Sequence, residues 1–316
     1  MRARISLLFL ILALSCSKEK YTKRTYLAMG TVVNITVPAD SPDAADSAFL
    51  AIHLVDSLMN PISPLSDVNR INGNSGRWVR VSPYTARCIR RALEIAELTE
   101  GAFDPTVGRL VHLFHFDRAP DFRMPPEDSL RIARDYVDFR KIEVSGDSVR
   151  IGRGQQITLA AIAKGFAVDL ACEKLDSMGV TGYIVEAGGD LRVRMPEGAK
   201  IGIRSPRGEG LFGVLRLRKG AVCTSGDYER FFYFRGKRYS HIIDPHTGQP
   251  VEGELSVTVI GPDATTVDAL STALFVMGSA KGLELLQELK SYEALFIEAE
   301  GVNMSPGFRK YLEEVF

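Results

Sequence analysis

Apolar residues recur along the chain with two periods, and together they predict a mixture of helices and strands. Helical spacing of apolar positions predicts helices over Asp43–Met59, 82–101, 162–178, 263–277 and 280–289, with a short helix opening at Pro126. Alternation rich in β-branched residues predicts strands over 31–37, 183–185, 191–193, 201–203, 214–217, 231–234, 255–260 and 294–297, and a hairpin that joins 142–144 to 149–151. Strands often follow one another without an intervening helix, which favours an α+β fold with largely antiparallel sheets and packed helices.

The N-terminus departs from this globular pattern. Two arginines precede a short apolar run, residues 5–14, which ends just before Cys16. A membrane-spanning helix needs about 20 apolar residues, so this run predicts a signal peptide over residues 1–15. The small residues before Cys16 resemble a bacterial lipobox, which predicts lipidation of that cysteine and a polar tether over 16–24. We therefore expect an exported, membrane-anchored lipoprotein facing the periplasm or the cell exterior, with an ordinary signal peptide and a chance cysteine as the alternative.

The composition of the chain argues against nucleic-acid binding and for a single folded domain. Its 39 basic and 39 acidic residues balance, so no net field attracts nucleic acid over long range. With 45% hydrophobic residues and no long polar linker, residues 25–316 are expected to form one folded domain, with two lobes allowed. The other three cysteines show no metal-binding or disulfide pattern, and Cys88 and Cys172 are expected in the core.

Two oxygen-bearing side chains share one face of the otherwise apolar helix predicted over 263–277. Asp268 and Thr272 are four residues apart, so both project from the same side of that helix. A buried carboxylate needs a partner, and a hard cation such as Mg2+ accepts both carboxylate and hydroxyl oxygens. The alternative is a helix cap or a structural hydrogen bond.

Three further positions could carry chemistry. Lys164 lies among small residues at the start of a predicted helix, where amide groups and an ammonium group would suit a phosphate; tight helix packing is the alternative. His241 stands before an Asp-Pro turn and could act as a general base, or it could simply be hydrogen-bonded at a strand end. Asp104 is expected in a turn, bonding its own backbone.

Seven short stretches, taken in order, resemble the ApbE family. They are MGT at 29–31, GAFDPTVG at 101–108, AIAKGFAVD at 161–169, AGGD at 187–190, TSGDY at 224–228, HIIDPHTG at 241–248 and DALSTAL at 268–274. The resemblance implies a T-fold-like architecture that binds FAD in a cleft. It also implies an Mg2+-dependent FAD:protein FMN transferase, which cleaves FAD, releases AMP and joins FMN to a threonine or serine hydroxyl of a partner flavoprotein.

The same resemblance implies roles for individual residues. Asp268 and Thr272 would hold Mg2+, with Ser271 and the backbone carbonyl of Ala161 completing the protein ligands, and His241 would be catalytic. The residues implied to contact FAD are Met29, Ala102, Phe103, Asp104, Thr158, Lys164 and Ile242.

Two positions depart from the family pattern. Thr158 stands where the family commonly has an aspartate, and Ile62 stands where it often has an aromatic residue. Two other functions remain open at this stage: an FAD pyrophosphatase that yields FMN and AMP, and a non-catalytic FAD-binding lipoprotein. The expected partners are FAD, an extracytoplasmic acceptor protein and, through the lipid, a membrane; no nucleic acid is expected.

Overall fold

The computed structural model describes residues 20–116, 121–252 and 254–316. The predicted signal peptide and Cys16 lie outside the described residues. The helices are α1 (Asp43–Met59), α2 (Asp67–Gly73), α3 (Pro83–Leu98), α4 (Gly108–Leu113), α5 (Glu127–Arg134), α6 (Ala163–Ser177) and α7 (Ala264–Glu288), with 3-10 turns at Phe139–Lys141 and Phe308–Tyr311. The strands are β1 (Tyr21–Ala28), β2 (Thr31–Pro38), β3 (Val79–Arg80), β4 (Glu143–Ser145), β5 (Ser148–Arg150), β6 (Tyr183–Ala187), β7 (Asp190–Arg204), β8 (Leu211–Gly226), β9 (Phe231–Phe234), β10 (Lys237–Ser240), β11 (Glu254–Gly261), β12 (Glu293–Glu298), β13 (Gly301–Met304) and β14 (Leu312–Val315).

One large sheet organises the molecule. Its strands run in the order β1-β2-β6-β7-β8-β11-β12-β13, and β14 pairs with β8 as a ninth strand. The named strands of this sheet pair antiparallel throughout, as do the small sheets β3-β5-β4 and β9-β10. The predicted α+β class with largely antiparallel sheets is therefore confirmed.

The first strand begins inside the stretch predicted to be a tether. Tyr21 pairs with Pro38 across the β1–β2 hairpin, so the ordered sheet starts before residue 25. The prediction was wrong here because β1 is an edge strand whose outer face carries Lys23 and other polar residues. Charged side chains are common on edge strands, where they discourage pairing with other chains, and they conceal the strand in the sequence.

Two other differences concern the lengths of elements. The short strands predicted over 191–193 and 201–203 are parts of the single strand β7, whose pairing with β8 is interrupted by a register shift between Arg194 and Ala199. The two closing helices predicted over 263–277 and 280–289 lie in one segment, α7. A kink at Gly278, where φ is 73°, divides this segment into two helices. Glycine adopts this left-handed conformation without the steric cost that a side chain would add.

The main core lies between one face of the large sheet and α1, α3, α6 and α7. A second apolar cluster covers the opposite face of β7, β8, β11 and β12. By length and composition α7 could cross a membrane, but much of it is buried against α6, β8 and β11, as expected for a core helix. Cys88, Cys172 and Cys223 are buried free thiols, which confirms the prediction for the first two.

Candidate active site

A group of hydroxyl oxygens surrounds the first turns of α7. The hydroxyl of Ser225, at the end of β8, lies 2.7 Å from Ser271 Oγ and 3.2 Å from Thr272 Oγ1. Ser271 also donates to the backbone carbonyl of Asp268 at 2.8 Å. The spacing of Asp268 and Thr272 predicts that they share one side of the helix, and Ser271 lies next to Thr272 within reach of the same Ser225 hydroxyl. Ser225 lay within a recognised stretch, but no role was predicted for it.

Asp268 is buried beside this group with only 4% of its surface exposed. Its Oδ2 accepts a hydrogen bond from the amide of Gly165 at 2.8 Å. Burial, together with the nearby charge of Asp190, raises the pKa of the Asp268 carboxyl to about 7. The alternative role as a helix cap is excluded, because Asp263 caps α7 by accepting from the amide of Thr266 at 2.8 Å.

The hydrogen bond to Asp268 serves the start of α6. Gly165 is the third residue of that helix, a first-turn position whose amide has no acceptor within the helix. The Asp268 carboxylate accepts this hydrogen bond and so ties α6 to α7. Ala161 stands just before the N-cap residue Ile162, and no backbone amide of the described residues donates to its carbonyl, which leaves that oxygen available as a ligand for a hard cation.

These oxygens fit the predicted metal site. The carboxylate of Asp268, the carbonyl of Ala161 and the hydroxyls of Ser271 and Thr272 are all hard donors of the kind that Mg2+ prefers. Within the described ranges, no three His, Cys, Asp or Glu side chains come together as a metal site. A metal at this point would therefore depend on one carboxylate and on neutral oxygens, with other positions left for water or phosphate.

Lys164 connects this cluster to a second buried carboxylate. Its Nζ is hydrogen-bonded to Asp190 and lies 3.8 Å from Asp268 Oδ1. Burial lowers the pKa of Lys164, but the charges of Asp190 and Asp268 outweigh it and leave the pKa raised, so the ammonium stays charged. No role was predicted for Asp190, although it ends the recognised stretch at 187–190.

The small residues near Lys164 also serve tight packing, the alternative considered from the sequence. A Cβ added to Gly165 would overlap the carbonyl oxygen of Ala264 and approach Asp268 Cβ to 2.7 Å. Asp169, one turn further along α6, accepts from the amides of Ala264 and Thr265 at 3.0 and 2.8 Å. The start of α7 is therefore fixed against α6, and this contact sets the position of Asp268.

The strip of residues 102–104 is buried, and its carboxylate is fully engaged. Asp104 Oδ1 accepts from the amide and hydroxyl of Thr106 at 2.7 and 2.6 Å, and Oδ2 accepts from the amide of Phe139 at 3.1 Å. This confirms the predicted turn in which Asp104 bonds its own backbone. Ala102 and Phe103 are buried beside it, and the amide of Thr158 donates to the carbonyl of Pro105 at 2.8 Å. The predicted FAD contacts at 102–104 and 158 thus lie on adjoining segments.

Met29 occupies a turn that is unusual for its residue type. Met29 and Gly30 join β1 to β2 with φ of 54° and 69°, the conformation of a type I′ turn, which normally favours Asn-Gly. Asp56 of α1 holds the turn by accepting from the Met29 amide at 3.0 Å. Ile62 follows the same helix and is 81% exposed. An unfavourable backbone conformation held by a specific contact is typical of functional sites.

His241 follows β10 and is oriented by the backbone of Arg230. Its Nδ1 lies 3.2 Å from the Arg230 carbonyl, which can only accept, so Nδ1 carries the proton and Nε2 has the free lone pair. Burial and the charge of Arg230 lower the pKa of His241 to about 4, and the charge of Lys164 acts in the same direction. The imidazole is therefore neutral at pH 7, and Nε2 can accept a proton. Ile242 next to it is buried.

The predicted residues thus fall into two groups. Asp268, Ser271, Thr272, Ala161 and Lys164 surround the junction of α6 and α7. His241 belongs to the other group, and the charge of Lys164 contributes to the lowering of its pKa. A charged ammonium, a buried carboxylate and hydroxyl groups at one junction are the kinds of group that phosphoryl transfer uses.

Comparisons with known proteins give the family of the chain. The sequence model of the ApbE family matches residues 29–296. The chain is 32% identical over 332 residues to an FAD:protein FMN transferase of Vibrio cholerae, an alignment that covers 99% of this chain and 97% of the relative. It is 34% identical over 308 residues to one of Treponema pallidum, covering 87% and 83%.

The fold is also similar to that of a solved protein. The crystal structure of the ApbE protein from Thermotoga maritima superimposes with a TM-score of 0.86 at 35% sequence identity, covering 92% of this chain and 99% of that one. The family model and the relatives span nearly the whole described chain and include both groups of candidate residues. The chain therefore belongs to the ApbE family.

Proposed function

We propose that this chain is an Mg2+-dependent FAD:protein FMN transferase that modifies an extracytoplasmic partner protein. The activity is supported by the relatives at 32% and 34% identity, which are FAD:protein FMN transferases. The observation that carries the metal dependence is the buried carboxylate of Asp268, which shares one side of α7 with the hydroxyls of Ser271 and Thr272.

In this proposal the α6–α7 junction holds the pyrophosphate of FAD. Asp268, Thr272, Ser271 and the Ala161 carbonyl hold Mg2+, which when bound neutralises the charge that develops as the bond between the phosphates breaks. The Lys164 ammonium donates hydrogen bonds to phosphate oxygens and is kept charged and oriented by Asp190. The remaining FAD contacts come from Met29, Ala102, Phe103, Asp104, Thr158 and Ile242, with Asp104 contributing through its backbone because its carboxylate is engaged.

His241 would activate the acceptor. Its Nε2 takes the proton of a threonine or serine hydroxyl as that oxygen bonds to the phosphorus of the FMN half. The bond between this phosphorus and the bridging oxygen breaks, and AMP leaves with that oxygen. The lowered pKa keeps His241 neutral at pH 7 with the Nε2 lone pair free, and it also makes the imidazole a weaker base than an ordinary histidine.

The location of the enzyme outside the cytoplasm is part of the same proposal. The apolar run at residues 5–14 and the lipobox-like sequence before Cys16 support export and lipid anchoring. Mass spectrometry of the mature N-terminus tests this: an unmodified chain that starts at residue 1 would contradict it.

The activity is tested by incubating the protein with FAD, Mg2+ and candidate acceptor proteins, followed by intact-mass analysis. We expect the acceptor to gain the mass of one FMN, the gain to be lost with EDTA, and His241→Ala to reduce the rate by on the order of 10²-fold or more. His246→Ala is the matched control, since His246 is an exposed residue of the adjacent turn. Free FMN and AMP without modified protein would support the pyrophosphatase, and tight binding of intact FAD would support a carrier.

A further inference from the structure

The hairpin of β9 and β10 leaves the backbone of β9 without a partner on its outer side. The two strands pair along their whole length, and the amide of His241 continues the ladder to the Arg230 carbonyl at 3.0 Å. In an antiparallel ladder, residues whose N–H and C=O groups bond the partner strand alternate with residues whose N–H and C=O groups point to the opposite side. Phe231 and Tyr233 therefore direct their N–H and C=O groups away from β10. In the described part of the chain, no group is hydrogen-bonded to these outward atoms.

The chain pairs with itself just beyond β10. Ser240 at the end of β10 is buried, and the carbonyl of Ile242 accepts from the amide of Val251 at 2.8 Å. A bridge between Ile243 and Pro250 extends this pairing. At the His241 end of the hairpin the β10 side is therefore occupied by residues 250–251, which leaves the β9 side for another strand.

Aromatic packing fixes the hairpin in place. On one face Phe232 stacks on Tyr239 with ring centroids 5.4 Å apart and packs against Phe116 at 5.9 Å. Phe116 in turn contacts the His241 ring edge-on at 6.5 Å. By contrast, Tyr233 near the tip is 67% exposed. The hairpin is thus packed against the protein at the end near His241, where Phe231 and Phe232 are half-buried, and is exposed toward its tip.

We propose that the acceptor protein binds as an extended strand along the β9 edge, with its hydroxyl residue beyond the Arg230 end, next to His241. This inference rests on the proposed transferase function. Strand addition uses main-chain hydrogen bonds, so it can present a threonine or serine with few demands on its neighbours. Arg230 and Arg235 lie at the two ends of β9, both exposed and in no ion pair among the described residues, so the acceptor segment is neutral or acidic.

The experiment uses dodecapeptides with one central threonine, in an acidic and a basic series, and measures the gain of FMN by mass spectrometry. Tyr233→Pro removes the outward N–H without touching the bonds to β10, a substitution that edge strands tolerate. Tyr233→Ala is the control because it removes the side chain but keeps that N–H. Circular dichroism and FAD affinity, expected to be unchanged, show that each variant is folded. Peptides N-methylated at alternate amides test the same bonds from the partner's side.

We expect Tyr233→Pro to raise the KM for acidic peptides at least about fivefold, from the loss of one main-chain hydrogen bond and the obstructing ring. Tyr233→Ala should change the KM less. Of the two sets of peptides N-methylated at alternate amides, only the set methylated at the amides that face β9 should bind more weakly. Basic peptides should be poor substrates. An unchanged KM in Tyr233→Pro would overturn the docking proposal and leave the transferase intact. If the wild type modifies a protein acceptor but no peptide, an extended segment is not what it recognises. If it modifies neither and releases FMN and AMP, the transferase assignment itself fails.

Discussion

The two halves of the site are built in different ways. The half that we propose to hold the metal (the metal half) comprises Asp268, Ser271, Thr272 and Lys164. It lies on two helices in the core, and its polar side chains are bonded to other parts of the protein. The base half, His241, follows a solvent-exposed hairpin and is held by one carbonyl and one aromatic contact. Substitutions in the metal half should therefore affect folding and chemistry together, whereas substitutions in the base half should affect chemistry alone.

The largest expected effect comes from a variant that removes a charge from the metal half but keeps the hydrogen bond that supports its structure. Asp268→Asn keeps an oxygen that accepts from the Gly165 amide but removes the negative charge that a cation requires. We expect AMP release from FAD to fall on the order of 10²-fold or more, with the fold retained. Chromatographic assay of AMP over a Mg2+ titration measures this.

The matched control for that variant is Asp263→Asn. Asp263 caps the same helix at its first turn, and asparagine caps equally well, so near-normal activity is expected. If Asp268→Asn retained full Mg2+-dependent activity, Asp268 would be excluded as a metal ligand.

A smaller effect, on stability, is expected from a substitution that pushes α6 and α7 apart. In Gly165→Ala the new methyl group would overlap the Ala264 carbonyl, so α6 and α7 must move apart or strain. We expect a loss of roughly 1–3 kcal/mol in the free energy of unfolding, measured by urea denaturation, together with weaker FAD binding. Gly73→Ala is the control, because a Cβ there meets no atom within 4 Å. Equal stability of the two variants would show that the helix contact does not hold the metal half in place.

Most helices and strands were predictable from the sequence, because each buries one face on which apolar residues recur at regular spacing. The helices around the core and the β-branched strands of the large sheet repeat apolar residues with clear periods. The sequence failed where burial does not decide the structure. β1 is a polar edge strand, and α2 is a short helix set by Ser66, which caps it by accepting from the amide of Asn69 at 3.2 Å. Neither has a long apolar stripe to reveal it.

The residues proposed to hold the metal were easier to find in the sequence than the residues that support them. Asp268 and Thr272 appeared in the sequence as polar residues on an apolar helix, an anomaly that a buried site explains. Asp190 begins β7 and Ser225 lies near the end of β8, and the pairing of the sheet brings both to α6 and α7. The partner of His241 is a backbone carbonyl, which carries no side-chain signal in any sequence.

The smallest effect tests whether the base half is tuned by one neighbouring charge. Burial and the Arg230 cation lower the pKa of His241 to about 4, so kcat/KM should be lost only as pH falls through that value, where the imidazole becomes protonated. Arg230→Gln removes the charge but keeps the carbonyl that orients Nδ1, and the pKa should rise toward its ordinary value of 6.5. The acid limb of the pH profile should then move to higher pH, while Arg235→Gln, at the tip of the hairpin, should leave it in place. An acid limb that does not move in Arg230→Gln would mean that burial alone sets the pKa of His241, and that the base half of the site is as self-contained as the metal half.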